Sequence, residues 1–159
     1  MFACHSDQAL AMLADPSEAE TEILSAIPYE YNQVVLHSDV RLLPQSPRSW
    51  ASWNYLLPKG ESHSATLTYN MNILQHIHSE TIFCVSVNPG DEIAHEKIYG
   101  SYRYSHPMFT LNSMSAQARW SEISGVNHTH FCGAYWRNGF HEDGVVSAIN
   151  VAKSLGENW

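Results

Sequence analysis

Residues 126–156 read VNHTHFCGAYWRNGFHEDGVVSAINVAKSLG and contain the most informative pattern of the chain. The β-branched and aromatic content of residues 126–132 predicts a strand, and glycines then mark residues 133–139 as a loop. Residues 143–155 predict a helix, which Gly156 ends. Five apolar residues recur at helical spacing, so we expect that face of the helix to pack on a sheet: Val145, Ala148, Ile149, Ala152 and Leu155.

The predicted helix start is suited to hold part of a cofactor. A helix start carries unpaired backbone N–H groups and a partial positive charge. Gly144 has no side chain, so a flat group could approach the N–H groups of Val145 and Val146 closely. Gly133, at the end of the predicted strand, would allow a second close approach. The simpler interpretation is that both glycines only form turns.

The rest of the chain predicts an α+β fold. Helix-capping residues Ser6 and Asp7 precede one short helix, and residues 15–18 begin a second with a capping box. Further short helices are expected at residues 71–77 and 113–120. Segments rich in aromatic and β-branched residues predict five strands, at residues 29–38, 49–56, 65–70, 81–88 and 97–104. Turns are expected at Pro44, at Pro47 and at residues 58–60 and 89–91. We therefore expect a mixed or antiparallel sheet with flanking helices.

Composition excludes several classes of protein. The 159 residues are 44% hydrophobic and 15% charged, which is typical of a globular chain. The formal net charge of −8 and the scattered lysines and arginines make nucleic acid an unlikely partner. There is no signal peptide pattern and no apolar run of the roughly 20 residues that a membrane-spanning helix needs. Three distant cysteines are expected to be reduced thiols, which favours a cytoplasmic location.

Two other chemistries are open to the histidines and cysteines. His128, His130 and Cys132 would share one face of a strand and, with His141, could ligate zinc. Their spacing lacks the close ligand pairs of most zinc sites, so we expect no metal. Cys4 with His5, or Cys132 with His130, could form a nucleophilic pair, although neighbours on a strand point to opposite faces. Cys132 is more simply a small buried apolar residue.

Taken together, the segments of the C-terminal region are similar to the end of the flavin-containing amine oxidase superfamily. They resemble most the bacterial FAD-binding proteins of amine oxidase type. The resemblance covers nearly the whole chain. It is carried by residues 130–136, 139–148, 151–152 and 155–156, and upstream by residues 2–10, 35–39, 43–44, 50–55 and 69–72.

The resemblance implies part of an FAD-binding fold interleaved with a substrate domain. Residues 1–14 would return to the FAD domain, residues 15–125 would form the substrate-binding domain, and residues 126–159 would contact the flavin. Relatives bind the ADP half of FAD with a G-x-G-x-x-G turn, which this sequence lacks. Relatives also carry an acidic residue after the glycine at the strand end. Ala134 follows it here, and Glu142 or Asp143 would substitute.

The predicted function is hydride transfer to FAD, with this chain as the C-terminal portion of the oxidoreductase and inactive alone. The cofactor-binding residues would be Ala3, Gly133, Ala134, Glu142, Asp143, Gly144, Val145 and Val146. The substrate, an amine or an apolar chain, would contact Tyr135, Trp136, His141, Trp53 and Tyr55. The alternative is a cofactor-free binding or assembly module that keeps the fold. A portion of a larger fold exposes sheet edges, so we expect a homo-oligomer.

Overall fold

The computed structural model describes residues 1–57 and 66–157. The chain forms two compact units: the first combines Met1–Glu30 with His106–Trp159, and the second is Tyr31–Ser105. The sequence predicted functional domains at residues 1–14, 15–125 and 126–159. Their boundaries differ from those of the two units, and their functional roles stay predictions. The turn predicted at residues 58–60, and Ala65 at the start of a predicted strand, lie outside the described residues.

Helices and strands both contribute to the described structure, which has the α+β class predicted from the sequence. The helices are α1 (Ser6–Met12), α2 (Glu18–Ser25), α3 (Met71–Leu74), α4 (Leu111–Ala118), α5 (Trp120–Ile123) and α6 (His141–Ser154). The strands are β1 (Tyr29–His37), β2 (Trp53–Leu56), β3 (Thr66–Asn70), β4 (Cys84–Val87) and β5 (Ile98–Pro107). None of the helices in the described ranges has the length and apolar character needed to cross a membrane.

Local capping starts the helices of the first unit. Ser17 Oγ accepts a hydrogen bond from the Glu20 N–H at 3.2 Å, and Glu20 Oε2 accepts one from the Ser17 N–H at 2.8 Å. This capping box satisfies donors that a helix start otherwise leaves unpaired. The predicted helix is therefore present, but it begins at Glu18 and not at Pro16, and Glu20 in place of Glu18 completes the capping box. The core of this unit is formed by buried residues of four helices, of the segment after α2 and of residues 131–136: Ala9, Ile23, Leu24, Ile27, Ala116, Ile123, Phe131, Tyr135 and Trp136.

The N-terminal residues pair with the segment that precedes Gly133. The Phe2 N–H donates to the His130 carbonyl at 2.8 Å, and the Cys132 N–H donates to the Phe2 carbonyl at 2.9 Å. This is a parallel bridge, and the rings of Phe2 and Phe131 stack at 5.6 Å between centroids. The proximity of residues 1–4 to residues 126–132, which the resemblance implied, is therefore confirmed.

The strand predicted at residues 126–132 is wrong apart from this bridge. Val126–His128 is a 3₁₀ turn, and Asn127 and His128 have φ values of 50° and 57°. Such left-handed conformations interrupt a strand, and Asn and His tolerate them better than most residues do. The segment is therefore a turn that leads into a single paired residue.

Helix α6 confirms the predicted helix, with a start two residues earlier than expected, but its buried face is not the predicted one. Val145 and Leu155 are exposed, and the buried side chains are Asp143, Ser147 and Val151. Helix α6 packs against the 3₁₀ turn Ala134–Trp136.

The second unit is built on an antiparallel sheet with the strand order β2-β3-β4-β1-β5. Its register places Asn54, Thr68, Ser86 and Val35 in one row across four strands. These four side chains are buried, whereas their neighbours along β2, β3 and β4 are half-buried or exposed. The buried face of β3 is therefore polar, with Thr68 and Asn70 inside.

Candidate functional site

The loop between Gly133 and α6 is tied to the helix by a serine. The Gly133 N–H donates to Ser147 Oγ at 2.8 Å, and the Ser147 hydroxyl donates to the Gly144 carbonyl at 2.8 Å. Ser147 is buried. The two glycines that the sequence singled out are therefore brought together, one on each side of this hydroxyl.

Asp143 closes the other end of the same loop. Its Oδ2 accepts hydrogen bonds from the N–H groups of Phe140 at 3.0 Å and Asn138 at 3.2 Å. Arg137 Nε lies 3.5 Å from Oδ1. The buried carboxylate thus stabilises the loop and the positive start of α6 from within the chain. Glu142, the other acidic residue predicted to contact the cofactor, is exposed.

Gly133 and Gly144 have different structural roles. A Cβ atom on Gly133 would lie 2.5 Å from Tyr135 Cε1, so the packing of the Tyr135 ring requires glycine there. At Gly144 the nearest atoms to a Cβ would be Ala134 N at 3.9 Å and Ala134 Cβ at 4.0 Å, which is ordinary van der Waals contact. The described structure therefore explains Gly133 and gives no packing reason for Gly144.

The start of α6 is bordered by exposed apolar groups. Phe140 precedes the helix, Val145 lies in its second turn, and both are more than half exposed. Phe109 approaches from the other side, because a Cβ on Gly139 would lie 3.2 Å from its ring. Since α6 begins at His141, Val145 and Val146 lie deeper in the helix than predicted, where N–H groups bond carbonyls four residues back.

Tyr135 and Trp136, predicted to contact substrate, are buried in the core of the first unit. Their rings lie 4.9 Å apart, and neither Tyr135 Oη nor Trp136 Nε1 has a hydrogen-bond partner within residues 1–57 and 66–157. Burial raises the pKa of Tyr135 well above its usual range. An unpaired buried donor destabilises the fold, so these atoms are places where an additional polar partner would be accommodated favourably.

The remaining predicted residues are dispersed. Ala3 is exposed beside the Phe2–Phe131 bridge, and His141 is exposed at the start of α6. Trp53 and Tyr55 belong to the second unit, on edge strand β2, where they are 50% and 68% exposed. Their rings are open to solvent, unlike those of Tyr135 and Trp136.

A buried polar chain in the second unit was not predicted. His37 Nε2 lies 2.8 Å from Ser86 Oγ, which lies 2.7 Å from Thr68 Oγ1. The Asp39 N–H donates to His37 Nδ1 at 3.1 Å. Burial lowers the pKa of His37, so the ring is neutral at pH 7 and its Nε2–H donates to Ser86. The side chains of His37, Ser86 and Thr68 are all fully buried, which fits a structural role.

Asp39 anchors the loops beside this polar chain. Arg41 Nε donates to both of its carboxylate oxygens at 3.0 Å, and the Ala94 N–H donates to Oδ2 at 3.0 Å. Lys97 Nζ lies 3.7 Å away. The hydrogen bonds from Arg41 hold the pKa of Asp39 well below its usual range, so the carboxylate stays charged.

The described residues contain no group of three or more histidine, cysteine or acidic side chains placed to hold a metal ion. Cys4, Cys84 and Cys132 are free thiols, and Cys132 is buried as expected. No protein-family model matches the chain, and no curated protein matches it. The resemblance to flavin-containing amine oxidases therefore stays a prediction, and the geometry of the first unit is what bears on function.

Proposed function

We propose that this chain is the C-terminal, flavin-contacting portion of an FAD-dependent oxidoreductase similar to the flavin-containing amine oxidases. The resemblance supports the proposal over nearly the whole sequence. It is further supported by the pairing of Phe2 with Phe131, which lie far apart in the sequence and which the resemblance placed side by side. The free thiols suit the cytoplasm, where such a protein would act.

Gly144 is the observation that carries the proposal. A glycine inside a helix destabilises it by about 1 kcal/mol relative to alanine. Its φ is not in the left-handed region, and a Cβ would meet nothing closer than 3.9 Å, so neither backbone conformation nor packing requires it. A group from outside the chain that approaches the first turns of α6 would explain the glycine. A flat isoalloxazine ring is such a group.

The residues around α6 fit one end of a flavin. The N–H groups at the start of α6 would donate to the flavin near N1 and the C2 carbonyl, although Glu142 and Asp143 in the first turn offset part of the positive charge there. Phe140 and Val145 offer exposed apolar contact, and Ala3 and Glu142 lie at exposed positions. When bound, the flavin would accept a hydride from a small substrate, an amine or an apolar chain. Gly133, Ala134 and Asp143 would act by holding the loop and the helix start in place.

Replacing Gly144 with alanine should have opposite effects on stability and on flavin binding. In the isolated chain, Gly144→Ala should raise the free energy of unfolding by about 0.5–1 kcal/mol, because alanine favours the helix. In a protein that carries the whole flavin site, the added methyl group should weaken flavin binding or shift the flavin absorption spectrum. Urea denaturation measures the first effect, and flavin content with the visible spectrum measures the second.

Ala148→Gly is the matched control, since Ala148 is an exposed position of the same helix. It should lower stability by a similar amount and leave the flavin unchanged. If Gly144→Ala stabilises the chain and leaves flavin content and spectrum intact, Gly144 has no role in binding and the proposal loses its main support.

A cofactor-free assembly module is the second candidate, and edge strand β2 favours it. The exposed side chains of β2 and of the residue that follows it are apolar or aromatic: Trp53, Tyr55, Leu56 and Leu57. None of the residues from 53 to 57 is charged. An edge of this kind pairs readily with another strand. Two copies joined through β2 would form a continuous sheet, in agreement with the predicted homo-oligomer.

Sedimentation velocity tests the assembly module. The chain should sediment as a dimer or larger species, and Tyr55→Lys should shift it toward monomer because a lysine on an edge strand opposes pairing. Leu111→Lys, at an exposed helix position of the first unit, should leave the distribution unchanged. A monomer at high concentration would count against this candidate and would leave the flavin proposal unaffected.

A further inference from the structure

An open groove in the second unit has no part in the functions proposed above. It has a volume of about 400 Å³ and lies along strands β1 and β5. The residues that line it are Tyr31, Asn32, Gln33, Ser101, Tyr102 and Arg103. The volume lies within the range of sites that hold small molecules.

Arg103 supplies a positive charge that no carboxylate of the described residues neutralises. Its guanidinium carbon lies 4.0 Å from the centroid of the Tyr31 ring, and no ion pair involves Arg103 in residues 1–57 and 66–157. By contrast, Arg41, Arg119 and Arg137 each pair with an acidic side chain. Arg48 likewise has no ion pair among the described residues, and what distinguishes Arg103 is the aromatic ring against which its guanidinium lies.

The aromatic ring beside the Arg103 guanidinium is that of Tyr31, which is exposed. Side chains alternate between the two faces of a strand, so Tyr102 and Tyr104, whose rings stack at 5.8 Å between centroids, lie on the other face of β5. The face that carries Arg103 also carries Ser101, and Gln33 approaches it from β1.

We propose that this groove binds a small aromatic carboxylate. A guanidinium held against a ring presents a planar fork of donors to a carboxylate, and the exposed Tyr31 ring offers an aromatic contact for the ligand ring. Gln33 Nε2 and Ser101 Oγ, 3.4 Å apart, add polar groups beside it. The net charge of −8 disfavours polyanions and leaves a singly charged ligand as the better match.

Titration of benzoate into the full chain, followed by ¹H–¹⁵N NMR, tests the proposal. Saturable shifts are expected for Arg103 Nε–H and for the amides of residues 31–33 and 101–103, with a Kd on the order of 1 mM for so small a ligand. Benzamide, which lacks the charge, and acetate, which lacks the ring, should each bind at least about tenfold more weakly.

Variants separate the groove from general charge effects. Arg103→Gln should weaken benzoate binding about tenfold or more, whereas Gly100→Ala, which displaces Tyr102 on the other face of β5, should leave it unchanged. Arg48→Gln, which removes another exposed arginine of the same unit, should leave binding unchanged. The proposal is overturned if no saturable shifts occur, if acetate or benzamide matches benzoate, or if Arg103→Gln and Arg48→Gln behave alike.

Discussion

FAD titrated into this chain alone should bind with a Kd of about 1 mM or weaker, and the purified chain should be colourless and inactive. Families that this chain resembles hold the pyrophosphate of FAD with a glycine-rich turn, which the sequence does not contain. Contacts from α6 would be a few hydrogen bonds of about 1 kcal/mol net each. They cannot offset an association entropy cost of several kcal/mol. Micromolar affinity requires contacts to both ends of the cofactor.

Quenching of flavin fluorescence, with calorimetry as a second method, measures this affinity. Free riboflavin is the useful comparison, because it lacks the ADP half and should bind as weakly as FAD does. Micromolar binding of FAD would mean that the chain holds the whole cofactor, and the assignment of α6 to the flavin end alone would then be wrong.

Phe131→Ala should lower the free energy of unfolding of the first unit by about 3–5 kcal/mol, the largest stability effect expected for a single substitution here. Phe131 is fully buried in the core, and its ring stacks on Phe2. The substitution leaves a cavity and removes the stacking that holds the N-terminal residues. Urea denaturation followed by circular dichroism of the helical signal measures the loss.

Phe140→Ala provides the control for this change. Phe140 is exposed at the start of α6, so its removal should cost less than about 1 kcal/mol. A loss of similar size for both variants would show that the effect comes from removing any phenylalanine of the loop. A loss below about 1 kcal/mol for Phe131→Ala would contradict the description of the core.

Sequence reasoning succeeded where the determinants are local. The capping residues before α2, the glycine that ends α6 and the aromatic and β-branched residues of β1 and β5 each act within a few positions, and their elements were predicted. The strand predicted at residues 126–132 is wrong, although the local composition favours a strand. Left-handed conformations at Asn127 and His128 interrupt the extended backbone there.

The larger errors concern polar residues that are buried because a distant group satisfies them. Apolar periodicity assigned the wrong face of α6, since Asp143 and Ser147 are buried by hydrogen bonds to the loop that precedes the helix. In the sheet, His37, Ser86 and Thr68 are buried together because they bond one another across three strands. Neither arrangement is visible without knowing which strands or loops meet.

The order of strands in the sheet has a consequence for how the helical unit closes. β1 and β5 are neighbours, although they begin and end the second unit, and the Met108 N–H donates to the Pro28 carbonyl at 2.8 Å where the chain enters and leaves it. Pairing these strands joins the ends of a long intervening segment, which removes the entropy cost of closing that loop. Formation of the first unit is thereby favoured by formation of the sheet, because the chain runs from one to the other at both ends of the second unit.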